Sequence, residues 1–500
     1  MEKDLARLRA HLAEITDLTA ASHMLMWDQA TFMPPGGGAA RGRQLTTLGT
    51  LSHGRATDPA LGRLLDTLEA RIGELDPDGD DAALIREARR DFDRATRLPE
   101  DFVSRFSAHT AQSYAAWENA REANDFRAAL PELERGVELS REFAGYYPEA
   151  AHPADALIEE SDPGMTVADM TPVFAELRAG LVPLAKQLAE ASADAPKLPA
   201  GPYPEDAQMA FSHQLAEAVG YDFSRGRLDL SPHPFTTGFS IGDVRITTRM
   251  KPDDPVECMF STLHEAGHGM YEQGIARTLE GTPLATGTSS GVHESQSRLW
   301  ENLVGRSRPF WVHWYPSLQK TFGNALSAVS MDDWLRAINR VAPSLIRTDA
   351  DEVTYNLHVM LRFELELAML EGRLKPAELD DAWRAAMAET VGVTPQDANS
   401  GALQDVHWWA GPVGGAFQGY TLGNLTAAQL FDSAEAAHPD IFEEMTTGRY
   451  DALRGWLTEN VWRYGRKRTA RQVVEGATGK PLSAEPFLRH LTTKYQALFG

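Results

Sequence analysis

The sequence predicts a mainly α fold with one small β-sheet lying directly before a helix that bears paired histidines. Three observations predict it. Long segments carry apolar residues at steps of three and four, a single stretch changes to alternation between Gly, Pro, Ser and Thr punctuation, and no run of apolar residues approaches the length of a membrane span. In chain order the helical period runs over Asp4 to Leu25, Ala82 to Thr96, Pro99 to Asn124, Phe126 to Tyr146, Thr171 to Ala191 and Pro204 to Val219. The stretch from Gly226 to Met250 departs from it, and within Asp243 to Arg249 the apolar Val244 and Ile246 alternate with Arg245, Thr247 and Arg249. A small sheet is the simplest reading, and an edge strand there would be functional, because an extended peptide adds to such an edge through main-chain hydrogen bonds. The helical period resumes over Met331 to Ala342, Thr354 to Glu371 and Ala427 to His438.

Between the sheet and that second helical half lies the most informative string. Asp253 and Asp254 stand at a helix N-cap, Pro255 fits the first helical position, and Gly274 is a plausible stop. Val256, Phe260, Leu263, Gly267 and Met270 form the stripe expected to be buried. Glu257, Ser261, His264 and His268 fall on another face at 100° per residue. His264-Glu265-Ala266-Gly267-His268 thus presents two imidazoles together, spaced to grip one metal ion, with Glu265 placed to act as base on a water that the metal activates. Gly267 and Gly269 inside a helix mark places where something approaches the backbone closely.

A hydrolytic site of this kind needs a third protein ligand. Glu294, in Gly291-Val292-His293-Glu294-Ser295-Gln296, is the candidate. The Gly/Thr/Ser-rich loop from Gly281 to Gly291 allows a reversal, so a second helix starting near Ser290 and running through Leu299, Leu303 and Val304 can pack beside the first. His293 is the rival ligand, but neighbours on a helix diverge by 100°, so only one of the two can face the metal.

Composition bounds the rest. Five hundred residues would suggest about three domains by length, but no linker divides the chain, and residues 1–500 are read as one domain. In it the β region covers about 226–250 and the metal-binding helices about 255–304. A net charge of −23 argues against nucleic acid and anionic membranes as partners. The basic cluster Arg463, Arg466, Lys467, Arg468 and Arg471 reads as a solvated helix face. The first residues hold no apolar export segment, so the expected address is cytoplasmic. Cys258 is the only cysteine, which excludes an intrachain disulfide.

Several strings in one order carry a resemblance. They are the H-E-A-G-H helix, His293-Glu294-Ser295-Gln296, His233-Pro234-Phe235, Asp243 to Thr247, Ile346-Arg347-Thr348-Asp349-Ala350-Asp351, and Gly401 to Trp408. With Trp27-Asp28-Gln29, Met33-Pro34 and Thr478 to Leu482, they resemble the M32 metallocarboxypeptidases, the thermostable carboxypeptidase 1 family, along the whole chain. The resemblance implies a two-lobed helical fold like that of neurolysin and angiotensin-converting enzyme, an HExxH gluzincin with its metal at the floor of a deep groove. It also implies a homodimer, zinc or sometimes cobalt or another divalent metal, and release of single residues from peptides with a free C-terminus. It makes His407 and Tyr420 candidate donors to the tetrahedral oxyanion.

A carboxypeptidase must also hold a free carboxylate, for which the planar fork of Arg is suited. Arg347 is the first candidate, in a polar string whose acidic members Asp349, Asp351 and Glu352 would orient it. Arg245 is the second, with a structural ion pair to Asp243 as its competing role. Asp405 and Asp349 are candidate partners that hold a histidine or arginine in place. Alternative functions are an endo-acting or dipeptide-releasing peptidase on the same fold and a catalytically silent peptide-binding protein.

Overall fold

The computed structural model describes residues 1–500, every side chain included except that of Asn324. Its first helix, Glu2–Thr31, ends where Pro34 and Pro35 bar further turns, and the chain reverses into a second helix, Gly38–Ala56, packed along it. Leu5, Leu8 and Leu12 of the first helix meet Leu65, Leu84 and Ile85 in a separate apolar cluster. That cluster reaches Ile241, Ile275, Leu279 and Leu284, so the N-terminal helices are docked onto the region around the sheet. The larger core spans Phe102 to Tyr495 and is built around fully buried Trp300, Trp311, Trp334, Trp383 and Trp409.

The basic cluster is a solvated face only in part, with Arg463 and Arg471 exposed and the others engaged. Arg466 forks onto Asp91, Lys467 pairs with Asp80, Arg471 with Asp169, and Arg468 stacks 3.5 Å over the Tyr464 ring. Asp80 and Asp91 lie on the helix Asp80–Arg97, so two of these cations fasten the N-terminal helices to the C-terminal part of the chain.

The sheet has three strands, β1 (Leu228–Leu230), β2 (Thr236–Ser240) and β3 (Asp243–Thr248), in the order β1-β3-β2, with β1 parallel and β2 antiparallel to β3. The alternating segment is therefore the central strand, with Val244 and Ile246 buried. The sheet's two edges are β1 and β2, and the Gly/Pro/Thr-rich sequence did not distinguish β2 from a loop.

Two other helices differ from their periodicity. The one predicted over Met331 to Ala342 closes at Ile338, where Asn339 leaves helical backbone and its side-chain amide donates to the Arg306 and Leu335 carbonyls. The one predicted from Ala427 begins at Gln418. Its first turns carry Gly419, Thr421, Gly423 and Asn424, small and polar residues that hide the apolar period, and they pack tightly on the helix Ser290–Arg298. Among the described residues no helix is long and apolar enough to cross a membrane.

Candidate active site

The histidine helix spans Pro255–Gly274, and the Asp254 carboxylate accepts the Val256 N–H at 2.8 Å to cap it. Its neighbour, Ser290–Arg298, is capped by Ser289 accepting from the Val292 N–H. Gly267 sets their separation: a Cβ there would lie 2.5 Å from the Gln296 carbonyl oxygen. From the other side, a Cβ on Gly423 would lie 2.5 Å from Glu294 Cγ. Glu294 is thus gripped between the histidine helix and Gln418–Ala437, with little freedom to turn elsewhere.

The outcome is a cluster. Ligand atoms of His264, His268 and Glu294 lie within 4.8 Å of one another. Glu294 Oε2 is 3.7 Å from His264 Nε2 and 3.5 Å from His268 Nε2. A tetrahedral ion with bonds of about 2.0–2.1 Å spaces its ligand atoms roughly 3.4 Å apart, so these side chains fit one divalent cation.

The surrounding hydrogen bonds turn each ligand toward the cluster; burial opposes a charge on His264, but Glu294 and Glu301 outweigh it and raise its pKa. His264 Nδ1 meets Glu301 Oε2 at 2.9 Å and donates to it, which leaves the Nε2 lone pair directed at the cluster. His268 is held by a longer chain. His293 Nε2 donates to Glu272 Oε1 at 2.8 Å, so its Nδ1 is an acceptor, and His268 Nδ1 donates to it at 2.6 Å. His268 Nε2 is again left free. Burial lowers the His268 pKa to about 4, keeping it neutral. Burial opposes the charge of Glu294, yet Arg298 and the two histidines hold its carboxyl well below the usual range. Arg298 Nε donates to Glu294 Oε1 at 2.7 Å, leaving Oε2 for the cluster.

Glu265 is buried beside these groups, and burial raises its pKa. Thr236 on β2 donates to Glu265 Oε2 at 2.7 Å. A cavity of about 470 Å³ opens over the cluster and is lined by His268, His293, Glu294, Ser161 and Tyr420. A second, of about 630 Å³, shares His293 with it and runs along β2 from Thr236 to Ser240.

The remaining candidates divide. Tyr420 faces the cluster, with its hydroxyl 3.4 Å from His407 Nε2. Burial raises the Tyr420 pKa to about 12 and lowers that of His407 to about 4, so both are neutral near pH 7. Arg347 lies behind Tyr420, its guanidinium 5.1 Å from that ring. It is held by Asp405, through Nη2 at 2.7 Å and Nε at 3.2 Å, and by the Tyr355 hydroxyl at 3.0 Å. Asp349 is exposed instead, while Asp351 caps the backbone at Thr354 and Glu352 pairs with His490 and Lys494. Like buried Arg347, Arg245 lines neither cavity. It forks onto Asp243 at 2.9 and 2.8 Å and stacks 4.4 Å over Trp27, the structural alternative foreseen for it.

Sequence reasoning missed Thr236, Glu272, Arg298 and Glu301 as members of the site. Glu294, Arg298 and Glu301 follow at steps of four and three, one face of a helix, so that signal was present. A π-helical turn, Leu299–Val304, carries Glu301. Glu272, four beyond His268, continues the face of the two histidines, whereas Thr236 had no such signal, because only the folded chain brings it to Glu265.

The family profile described as carboxypeptidase Taq (M32) metallopeptidase matches residues 7–495. The chain is 41% identical to thermostable carboxypeptidase 1 of Thermus thermophilus over 507 residues, an alignment covering 99% of this chain and 98% of the relative. Among solved structures, the M32 carboxypeptidase from Deinococcus radiodurans is similar with a TM-score of 0.97 at 48% identity over 100% of both chains. Metallocarboxypeptidase 1 of Trypanosoma cruzi gives a TM-score of 0.95 at 33% identity, covering 99% of this chain and 100% of that one.

Proposed function

The chain belongs to the carboxypeptidase Taq (M32) metallopeptidase family, and from that premise we propose that residues 1–500 act as one catalytic unit releasing single amino acids from the free C-termini of peptides. The observation that carries this reading is the convergence of His264, His268 and Glu294, with the Glu265 carboxylate beside them. Two imidazoles and a carboxylate suit zinc, with cobalt or another divalent ion as the alternative. A divalent ion held there would supply Lewis acidity, making water nucleophilic near neutral pH and polarising the scissile carbonyl.

The protein's own groups do the rest. Glu265 takes the proton of the attacking water and returns it to the leaving amine. Thr236 fixes the carboxylate that does so. Tyr420, a neutral donor in the cavity, and His407 behind it stabilise the developing oxyanion. The backbone of the peptide adds to the edge of β2, along which the larger cavity runs. Arg347 holds the terminal carboxylate: three of its five N–H donors are used by Asp405 and Tyr355, which leaves two. Arg245, engaged with Asp243 and Trp27, is the second candidate for that carboxylate. The homodimer belongs to the same proposal on the strength of the family resemblance, and so does the cytoplasmic address expected from the sequence.

Two results check these assignments. Arg347→Ala should weaken turnover of free-acid peptides by roughly tenfold to a hundredfold, the worth of a hydrogen bond between charged groups, and leave the matching amides unaffected. Equal loss on both, in kcat/KM measured side by side, would remove Arg347 from the clamp. Thr236→Val should lower kcat about tenfold with KM and metal content unchanged, and Thr236→Ser should restore it. A Thr236→Ser enzyme as slow as Thr236→Val would mean that the methyl group matters and the hydroxyl does not.

A further inference from the structure

Behind the active centre lies a third cavity, separated from it by the helix Ser290–Arg298. Val292 lines this cavity and Glu294 faces the histidines; two residues apart, they occupy opposite faces of that helix. The cavity measures about 110 Å³, and its walls are mainly apolar, from Met170, Val173, Val292, Leu422 and Val474. An apolar void of roughly 150 Å³ admits benzene. This one is sized for a branched aliphatic side chain.

Its rim is charged with both signs. Arg471 and Asp169 line the cavity and pair through a single contact of 2.7 Å, with 51% and 32% of their side chains exposed. Glu475, one turn beyond Arg471 on the helix Ala470–Thr478, lines it too and is exposed. A mainly apolar pocket with buried Asp162 in its wall, beneath one guanidinium and two carboxylates at the rim, is complementary to a molecule with an aliphatic body, a carboxylate and an ammonium. We propose that this cavity binds a free aliphatic L-amino acid, with Arg471 on the carboxylate, Glu475 and Asp169 on the ammonium, and the side chain among Met170, Val173 and Val474. The choice of ligand rests on the carboxypeptidase reading, because a free amino acid is then the product. The site is therefore one for product feedback, acting through the Glu294 helix, whose first turn is fixed by the Gly291 N–H donating to buried Asp162 at 2.7 Å.

The test is a calorimetric titration of the metal-loaded protein with L-leucine and with L-leucinamide, which lacks the carboxylate. Wild type should bind L-leucine saturably and the amide at least tenfold more weakly. Arg471→Ala should bind both alike, and Val474→Trp, which fills the cavity, should abolish this binding while peptide hydrolysis at low product is retained. Saturating L-leucine should slow metal loss to a chelator in wild type and not in either variant. Identical titrations for wild type and Arg471→Ala would overturn the proposal even if Val474→Trp fails to fold. Hydrolysis followed on the same preparation separates the two readings. Single-residue release without this binding overturns the cavity alone, whereas L-leucine binding without such release overturns its identity as product.

Discussion

Replacing Glu265 with Gln should lower turnover by roughly 10³–10⁴-fold while the metal stays bound at full stoichiometry, because general acid–base catalysis of this kind is worth up to about that much. The expectation rests on separation of roles within five residues. His264 and His268 lie on one face with their Nε2 lone pairs directed at Glu294, whereas Glu265 points to β2 and is met there by Thr236. Gln keeps the size of Glu and can still engage Thr236, but it cannot accept a proton from water. Because its carboxylate is not in the ligand cluster, its loss should leave the metal content of the purified protein unchanged. Metal lost together with activity would make Glu265 a ligand or a structural support and leave the proton transfer to another group.

The converse is expected at His264. His264→Ala should remove the metal and bring hydrolysis to background, since two ligands then remain of three. It should also leave Glu301 without the imidazole that it accepts from, although Arg298 and Arg306 still neutralise that buried carboxylate. The fold should therefore survive the change. Metal content by elemental analysis, read beside circular dichroism, separates loss of the site from loss of the protein. Full metal occupancy in His264→Ala would remove His264 from the ligand set.

Much of this site was legible because it is written in local rules. The Asp254 cap, Pro255 and the apolar stripe fixed where the histidine helix begins and which face is buried, and the spacing of four put both imidazoles on the other face. Gly267 announced a close neighbour, and that neighbour is the helix bearing Glu294. What was not legible depends on distant sequence meeting in space. The partner of Arg347 is Asp405, 58 positions away, which only the family motif suggested; its own acidic neighbours are spent on a cap and on the C-terminal helix. The basic residues near Arg466 looked solvated because the acids that pair with them lie on the helix Asp80–Arg97. β2 was hidden because Gly238 and a bulge break its alternation, although it is the strand that touches Glu265.

A time course on an unrelated peptide ladder by mass spectrometry, with free and amidated C-termini and with and without chelator, tests the central claim most directly. The expected result is stepwise loss of one residue at a time from free C-termini, little from the amides, and none after chelation. Internal cleavage, dipeptide release or equal attack on the amides would contradict it.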